Sequence, residues 1–454
     1  MRALALVAGI LCIFTVLFDA FQTIILPRRA TGRFRLTRLF YIATWKPWTF
    51  FARGLHHPRK RESILGYYGP LSLILLLVVW AAAMVLGFAL IYFAIGNPFI
   101  DPAHSSNFHT DLYVSGTTLF TLGLGDIVPH SPLARFLLIL ESGTGFGFLA
   151  VVMGYFPVLY GAFSRREVNI ALLDARAGSP PTAAELMRRH SYDGAAQQLS
   201  VLLIEWERWS AELLESHISY PLLCYFRSQH NNQSWLSALT AILDTSSLLI
   251  AGVRGQEARQ AQLTFAMARH ALVDLAQIFN LRPIAAAPLG DAPKGHASAG
   301  HAPARNAPGS DASAAGVPPG GVPPGGVLPG GVSDRLTPAR CHELYEMLTA
   351  SGIELCYNDA SRERLRQMRA LYEGYAEALS RFLLMPLPQW FDNQPRKDNW
   401  QTVARLRAQT EAPGSANPDP YSPTPASLAD ASSTDPTSAA SIAASALIDH
   451  SHDF

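Results

Sequence analysis

Residues 118–126 read TLFTLGLGD and stand between two apolar runs, about 71–95 and 133–163, each long enough to cross a bilayer. Within hydrocarbon, backbone outside helices and closed barrels is tolerated only where protein buries it or a water-filled cavity adjoins it. A glycine-rich strip between two such runs therefore implies a pathway or a pocket. Lining a path with main-chain carbonyls that take the place of an ion's water is one use of such a strip.

A further apolar run, 2–26, opens with one basic residue, as a secretory signal does. No small-x-small cleavage site closes it, and Pro27, Arg28 and Arg29 follow at once, as at a cytoplasmic surface. It reads as a retained anchor. Arg28, Arg29, Arg33, Arg35, Arg38, Lys46, Arg53, Arg59, Lys60 and Arg61 lie between the first and second runs, whereas 96–134 contains no Lys or Arg. The positive-inside rule then puts the first loop in the cytoplasm and the second outside. Arg165 and Arg166, just past the third run, agree. The N-terminus is expected outside, the C-terminal part in the cytoplasm, and the protein in a plasma membrane.

The order of span, short helical segment (about 111–120), glycine strip and span resembles the pore domain of potassium channels over roughly residues 64–166. Thr118, Thr121, Gly123, Gly125 and Asp126 hold its TxxTxGxGD signature. The resemblance implies that K+ binds the carbonyls of Thr121, Leu122, Gly123 and Leu124 and the Thr121 hydroxyl. Gly123 and Gly125 permit the backbone dihedrals that align such carbonyls. Thr118 and Asp126 would support the strip, and one strip per chain implies a homotetramer. The C-terminal end of the short helix, partly negative, would favour a cation. A bacterial inner membrane is the implied location. Two departures stand out: Leu124 occupies the place of the usual Tyr or Phe, and Tyr113 and Val114 stand where aromatic pairs are common. Without that tyrosine hydroxyl, rigidity must come from elsewhere. The run TLGLGD followed by Ile127, Val128 and Pro129 is similar to the second pore of eukaryotic two-pore-domain potassium channels. The plainer readings are a glycine turn in a non-conducting anchor and, for Asp126, a simple turn cap.

Glu141 lies within the third run, where an acid is costly enough to be read as functional. Its place, level with the strip, favours bracing by accepting from Ser115, Thr117 or Thr118 over lining the cavity. Gly145 stands at the spacing from Gly123 where the resemblance implies a gating hinge; close helix packing is the alternative. Asp19, in the first run, is expected to pair with Arg28 or Arg29.

Residues 27–63 interleave cations with rings (Arg33, Phe34, Arg35, Phe40, Trp45, Trp48) and are expected to lie as an interfacial loop on anionic lipids, with 28–61 as the contact region. His104, His109 and His130 flank the outer mouth, where imidazoles would sense acid. Beyond Arg166 the pattern turns amphipathic, with Leu199, Leu202, Leu203, Trp206 and Trp209 at helical spacing. Residues 167–284 read as a helical domain with its rings in the core, and 337–392 as a helix returning to that bundle. Ala, Gly and Pro dominate 285–336, an expected disordered linker, and 393–454 reads as a disordered tail.

Several functions are disfavoured by composition and spacing. A net charge of +1 leaves no basic footprint for nucleic acid. Cys12, Cys224, Cys341 and Cys356 have neither metal-ligand nor disulfide-framework spacing. No nucleophile–base motif, GxGxxG after a strand or arginine-studded span is present. The expected fold class is an all-α membrane protein: three transmembrane helices, a re-entrant pore helix and filter, and a cytoplasmic helical bundle. The expected function is passive, K+-selective conduction through a tetrameric pore, without enzyme activity or cofactor. A nonselective cation channel and a non-conducting, membrane-anchored scaffold or sensor are the alternatives.

Overall fold

The computed structural model describes residues 1–26, 35–96, 98–100, 107–191, 195–229, 232–252, 256–284, 334–353 and 355–392, all within one unit, Met1–Pro395. The expectations for Arg28, Arg29, Arg33, His104, nearly all of the 285–336 linker and the 393–454 tail fall outside them.

Three long helices carry the apolar runs. α1 (Arg2–Ala20) is extended by one π-helical turn, Phe21–Ile25, and is followed by α2 (Leu36–Arg53) and α3 (Pro58–Ile95). A two-residue strand β1 (Phe99–Ile100), the short α4 (Phe108–Leu119), its partner strand β2 (Val128–Pro129) and α5 (Pro132–Ala177) come next. Both long later helices begin with Pro at the first turn, where a missing N–H costs nothing, and α3 stops at Gly96 with a left-handed φ of 103°. α1 packs along α3 through facing glycines: a Cβ on Gly9 would stand 2.6 Å from the Gly87 carbonyl oxygen. Small residues let two backbones approach this closely where lipid offers no hydrophobic drive.

The remainder is a helical bundle: α6 (Ala183–Arg189), α7 (Ala195–Ser219), a 3-10 turn Pro221–Tyr225, α8 (Trp235–Gly252), α9 (Gln256–Ile278), α10 (Pro338–Ala350), α11 (Asp359–Ala370) and α12 (Glu373–Leu383). Trp206 and Trp209, two of the five residues of the predicted stripe, are buried with ring centroids 4.6 Å apart. α8 is as apolar and long as a span, so among the described residues four helices rather than three meet that criterion. Yet 94 % of its window is enclosed by protein, against 17 to 44 % for α1, α3 and α5, so its apolar surface is already covered. An all-round apolar helix is what the centre of a bundle requires.

The expected boundaries shift in three places. The pore and bundle do not part at residue 166, because α5 runs unbroken to Ala177. Residues 337–392 form three helices instead of one. The expected interfacial loop holds α2, which turns one ring into the bundle while Phe50 and Phe51 stay exposed: Trp45 is buried, its indole N–H donates to the Phe382 carbonyl at 3.1 Å, and its ring lies 4.9 Å from Tyr225. A buried indole needs an acceptor, and the bundle supplies one.

Candidate ion pathway

α4 is built to stop at a fixed point. Asn107 caps its start, with its side-chain oxygen accepting from the N–H groups of His109 and Thr110 at 2.9 and 3.2 Å. After Leu119 the chain cannot continue as helix, since Thr121 has φ 56°, Gly123 φ 54° and Gly125 φ 75°. Every second residue is thus left-handed. Glycine accepts this freely, but Thr121 does not, and a threonine held there is a local strain that the strip's sequence did not disclose. The fold is held by the Thr117 carbonyl, which accepts from the Leu122 N–H at 2.7 Å and the Gly123 N–H at 3.4 Å. The Thr121 N–H donates to the Thr118 carbonyl at 3.0 Å.

Leu124 removes one tyrosine hydroxyl from this region, and Tyr113 provides another. From α4 its hydroxyl donates to Asp126 at 2.9 Å, tying the outer end of the strip to the short helix. Beyond Asp126, β2 pairs antiparallel with β1, Phe99 opposite Pro129 and Ile100 opposite Val128, so the segment leaving the strip is anchored to the end of α3. Phe99 closes this corner against Tyr92 with centroids 4.9 Å apart. Residues 121–126 themselves face open space in a single chain.

Behind the strip lies a buried polar group. Glu141 of α5 accepts from the Ser115 hydroxyl of α4 and from the Tyr92 hydroxyl of α3, the latter at 2.6 Å. Ser115 was among the expected partners, whereas Thr117 bonds back to Val114 and Tyr92 was not foreseen. A tyrosine within a long apolar run gave no sequence signal. Three helices therefore meet on one carboxyl group. Gly145, one turn further along α5, lies against the end of α4, where a Cβ would collide with the Leu119 carbonyl. Close approach accounts for this glycine; the space around Gly143 and Gly147 is open.

The expected partners of Asp19, Arg28 and Arg29, lie outside the described residues; among those described, one of its oxygens collects the hydrogen bonds. It accepts from the Thr37 backbone at 3.0 Å, the Thr37 hydroxyl, and the Trp80 indole at 3.1 Å, with Arg35 at 3.9 Å. His109 lies at the start of α4 and His130 just past β2. No cluster of three His, Cys, Asp or Glu suited to a metal occurs among the described residues.

Residues 76–159, from the middle of α3 to just past the middle of α5, match the family described as "Ion channel". The chain is also similar to the uncharacterized membrane protein YdjJ of Bacillus subtilis (strain 168), at 23 % identity over 230 residues; the match covers 50 % of this chain and 66 % of that protein, just under two thirds of its length. No solved structure matches. With three long apolar helices and a left-handed strip on the end of a short capped helix, the matched segment is similar to that ion-channel family and lies within a multi-pass membrane protein.

Proposed function

We propose that the chain is a potassium-selective channel in which four copies bring their 121–125 strips together around one axis and conduct K+ passively. The observation that carries this reading is the left-handed backbone at Thr121, Gly123 and Gly125, two residues apart, directly after α4. Such alternation lets successive carbonyls face one side, the arrangement that replaces an ion's hydration shell. Thr121, Leu122, Gly123 and Leu124 would coordinate K+. Thr118, Asp126 and Glu141 would hold the strip from behind, and any hinge role of Gly145 would add to its packing role. The exposure of the strip in one chain supports assembly with further copies. The Lys and Arg asymmetry supports an outward-facing strip and a cytoplasmic bundle, in a plasma membrane of bacterial type.

The test is potassium flux into liposomes containing the purified chain, compared with Gly123→Ala. A Cβ at φ 54° strains the strip without meeting any neighbour within 4 Å. Flux in the parent and its loss in the variant are expected, with K+ passing well ahead of Na+. Equal flux in both proteins, or none in the parent, would overturn the reading. Equal passage of Na+ and K+ would leave a nonselective cation channel.

A further inference from the structure

Where the apolar helices meet the bundle, the chain forms a partly open cavity of about 650 Å³. This falls within the roughly 300–1,000 Å³ range of small-molecule sites. Its walls come from every layer of the molecule. The π-helical turn after α1 gives Ile24, α2 gives Arg38 and Lys46, α3 gives Leu77, and the bundle gives Phe279 and Phe382. The apolar side chains in this set, Ile24, Leu77, Phe279 and Phe382, are only half-buried, which leaves their surface to an occupant.

The charge is one-sided. Arg35, Arg38 and Lys46 line the cavity, and the described lining contains no Asp or Glu. Arg35 is already engaged, bonding to Thr23 at 2.9 Å with Asp19 beyond it. Arg38 and Lys46 have no ion-pair partner among the described residues. An apolar wall beside uncompensated cations selects for the complementary chemistry, a hydrocarbon chain with an acidic head. The depth fits as well, because the α3 wall lies in the apolar run while the opposite wall, with Gln277 and Asn280, belongs to the bundle.

We propose that this cavity binds one amphiphilic anion per chain, an acyl chain under an acidic headgroup, and that the occupant joins α2 and α3 to the bundle. A phospholipid of the cytoplasmic leaflet and a free long-chain fatty acid share this chemistry. The inference does not depend on conduction, since its readout is binding.

The experiment is thermal unfolding of the purified, delipidated full chain in neutral detergent, titrated separately with dioleoylphosphatidylglycerol, dioleoylphosphatidylcholine and oleate. Saturable stabilisation by an anionic amphiphile at one equivalent per chain, with none from phosphatidylcholine, is expected. A response to oleate equal to that of phosphatidylglycerol identifies a fatty acid as sufficient; a response to phosphatidylglycerol alone identifies the bilayer lipid. The double variant Arg38→Gln/Lys46→Gln should weaken the apparent affinity about thirty-fold, from the worth of two cations near an acidic headgroup. Leu77→Trp, which fills the cavity and keeps its charge, should abolish the response. Ile74→Trp, on the exposed side of the same helix, should leave it intact. Equal stabilisation by phosphatidylcholine, or an unchanged response in the double variant or in Leu77→Trp, would overturn the proposal. Because each variant is compared with its own lipid-free unfolding, a loss of stability from the substitution itself is separated from a loss of binding.

Discussion

Glu141 shows how one side chain can tie an apolar region together. It sits in the apolar first half of α5, and each carboxyl oxygen receives a hydroxyl from a different helix. The cost of an acid at this depth is offset only while both bonds are made. Tyr92→Phe removes one donor, keeps the ring against Phe99, and leaves one oxygen buried without a partner. A loss of about 1–3 kcal/mol is expected, the penalty for a buried polar group left unsatisfied. It should be measured as a lower midpoint of thermal unfolding in detergent, with a parental midpoint showing that the bond contributes nothing. The same residue illustrates the limit of sequence reading. An acid in a span announces that it has partners, and helical level suggested Ser115, but nothing in the run around Tyr92 distinguished it from the neighbouring apolar residues.

At the scale of elements, α5 is the decisive one, because it passes beside α4 at Gly145 and enters the bundle without a break. Its grip there is Arg166, whose guanidinium donates to Glu167 at 2.9 Å and to the carbonyls of Leu223 and Phe226 at 2.9 and 3.0 Å. The remaining partner is His217 of α7. Arginine has no acceptor, so the His217 Nε2, 3.2 Å away, must accept, and Nδ1 donates to the Leu213 carbonyl at 2.8 Å. His217 is therefore neutral. Burial, reinforced by Arg166, holds its pKa well below the ordinary value near 6.5. A depressed histidine contributes its full stability above the unfolded pKa and loses it as pH falls below about 6.5, at up to about 1.4 kcal/mol per pH unit. Unfolding midpoints should drop between pH 7.5 and 5.5, and His217→Gln, which can make both bonds without titrating, should flatten that slope. An equally steep slope in the variant would assign the acid loss to other groups. Two arginines at a membrane exit read in sequence as topological markers. Only the folded α7 turns one of them into a buried clasp.

For the molecule as a whole, the stretch between α9 and α10 enters and leaves at nearly the same place. The Ile284 N–H donates to the Gly374 carbonyl at 3.0 Å, and Arg335 reaches both oxygens of Asp244 in α8 at 2.8 and 2.9 Å as well as Glu373 at 3.1 Å. Tyr372 also donates to Asp244. Replacing residues 288–331 with a short Gly/Ser connector should therefore shift stability by less than about 1 kcal/mol, since loop length enters only logarithmically. Arg335→Ala should cost about 3–5 kcal/mol by leaving Asp244 charged and buried. Denaturant unfolding of the two variants would compare them directly, and a Gly/Ser variant as weakened as Arg335→Ala would mean that the replaced stretch itself holds the bundle. The local chemistry of the chain determined the three apolar helices, the place of the strip and most helices of the bundle. Hydropathy, glycine placement and helical period act over a few turns and can be read without knowing what lies opposite. The tertiary structure alone decided that α8 is enclosed by protein, that α2 presses Tyr41 and Trp45 onto the bundle, and that Asp19 answers to Trp80, Thr37 and Arg35. Those outcomes depend on which surfaces meet across long separations in sequence, and a buried polar group takes whichever partner packing brings to it.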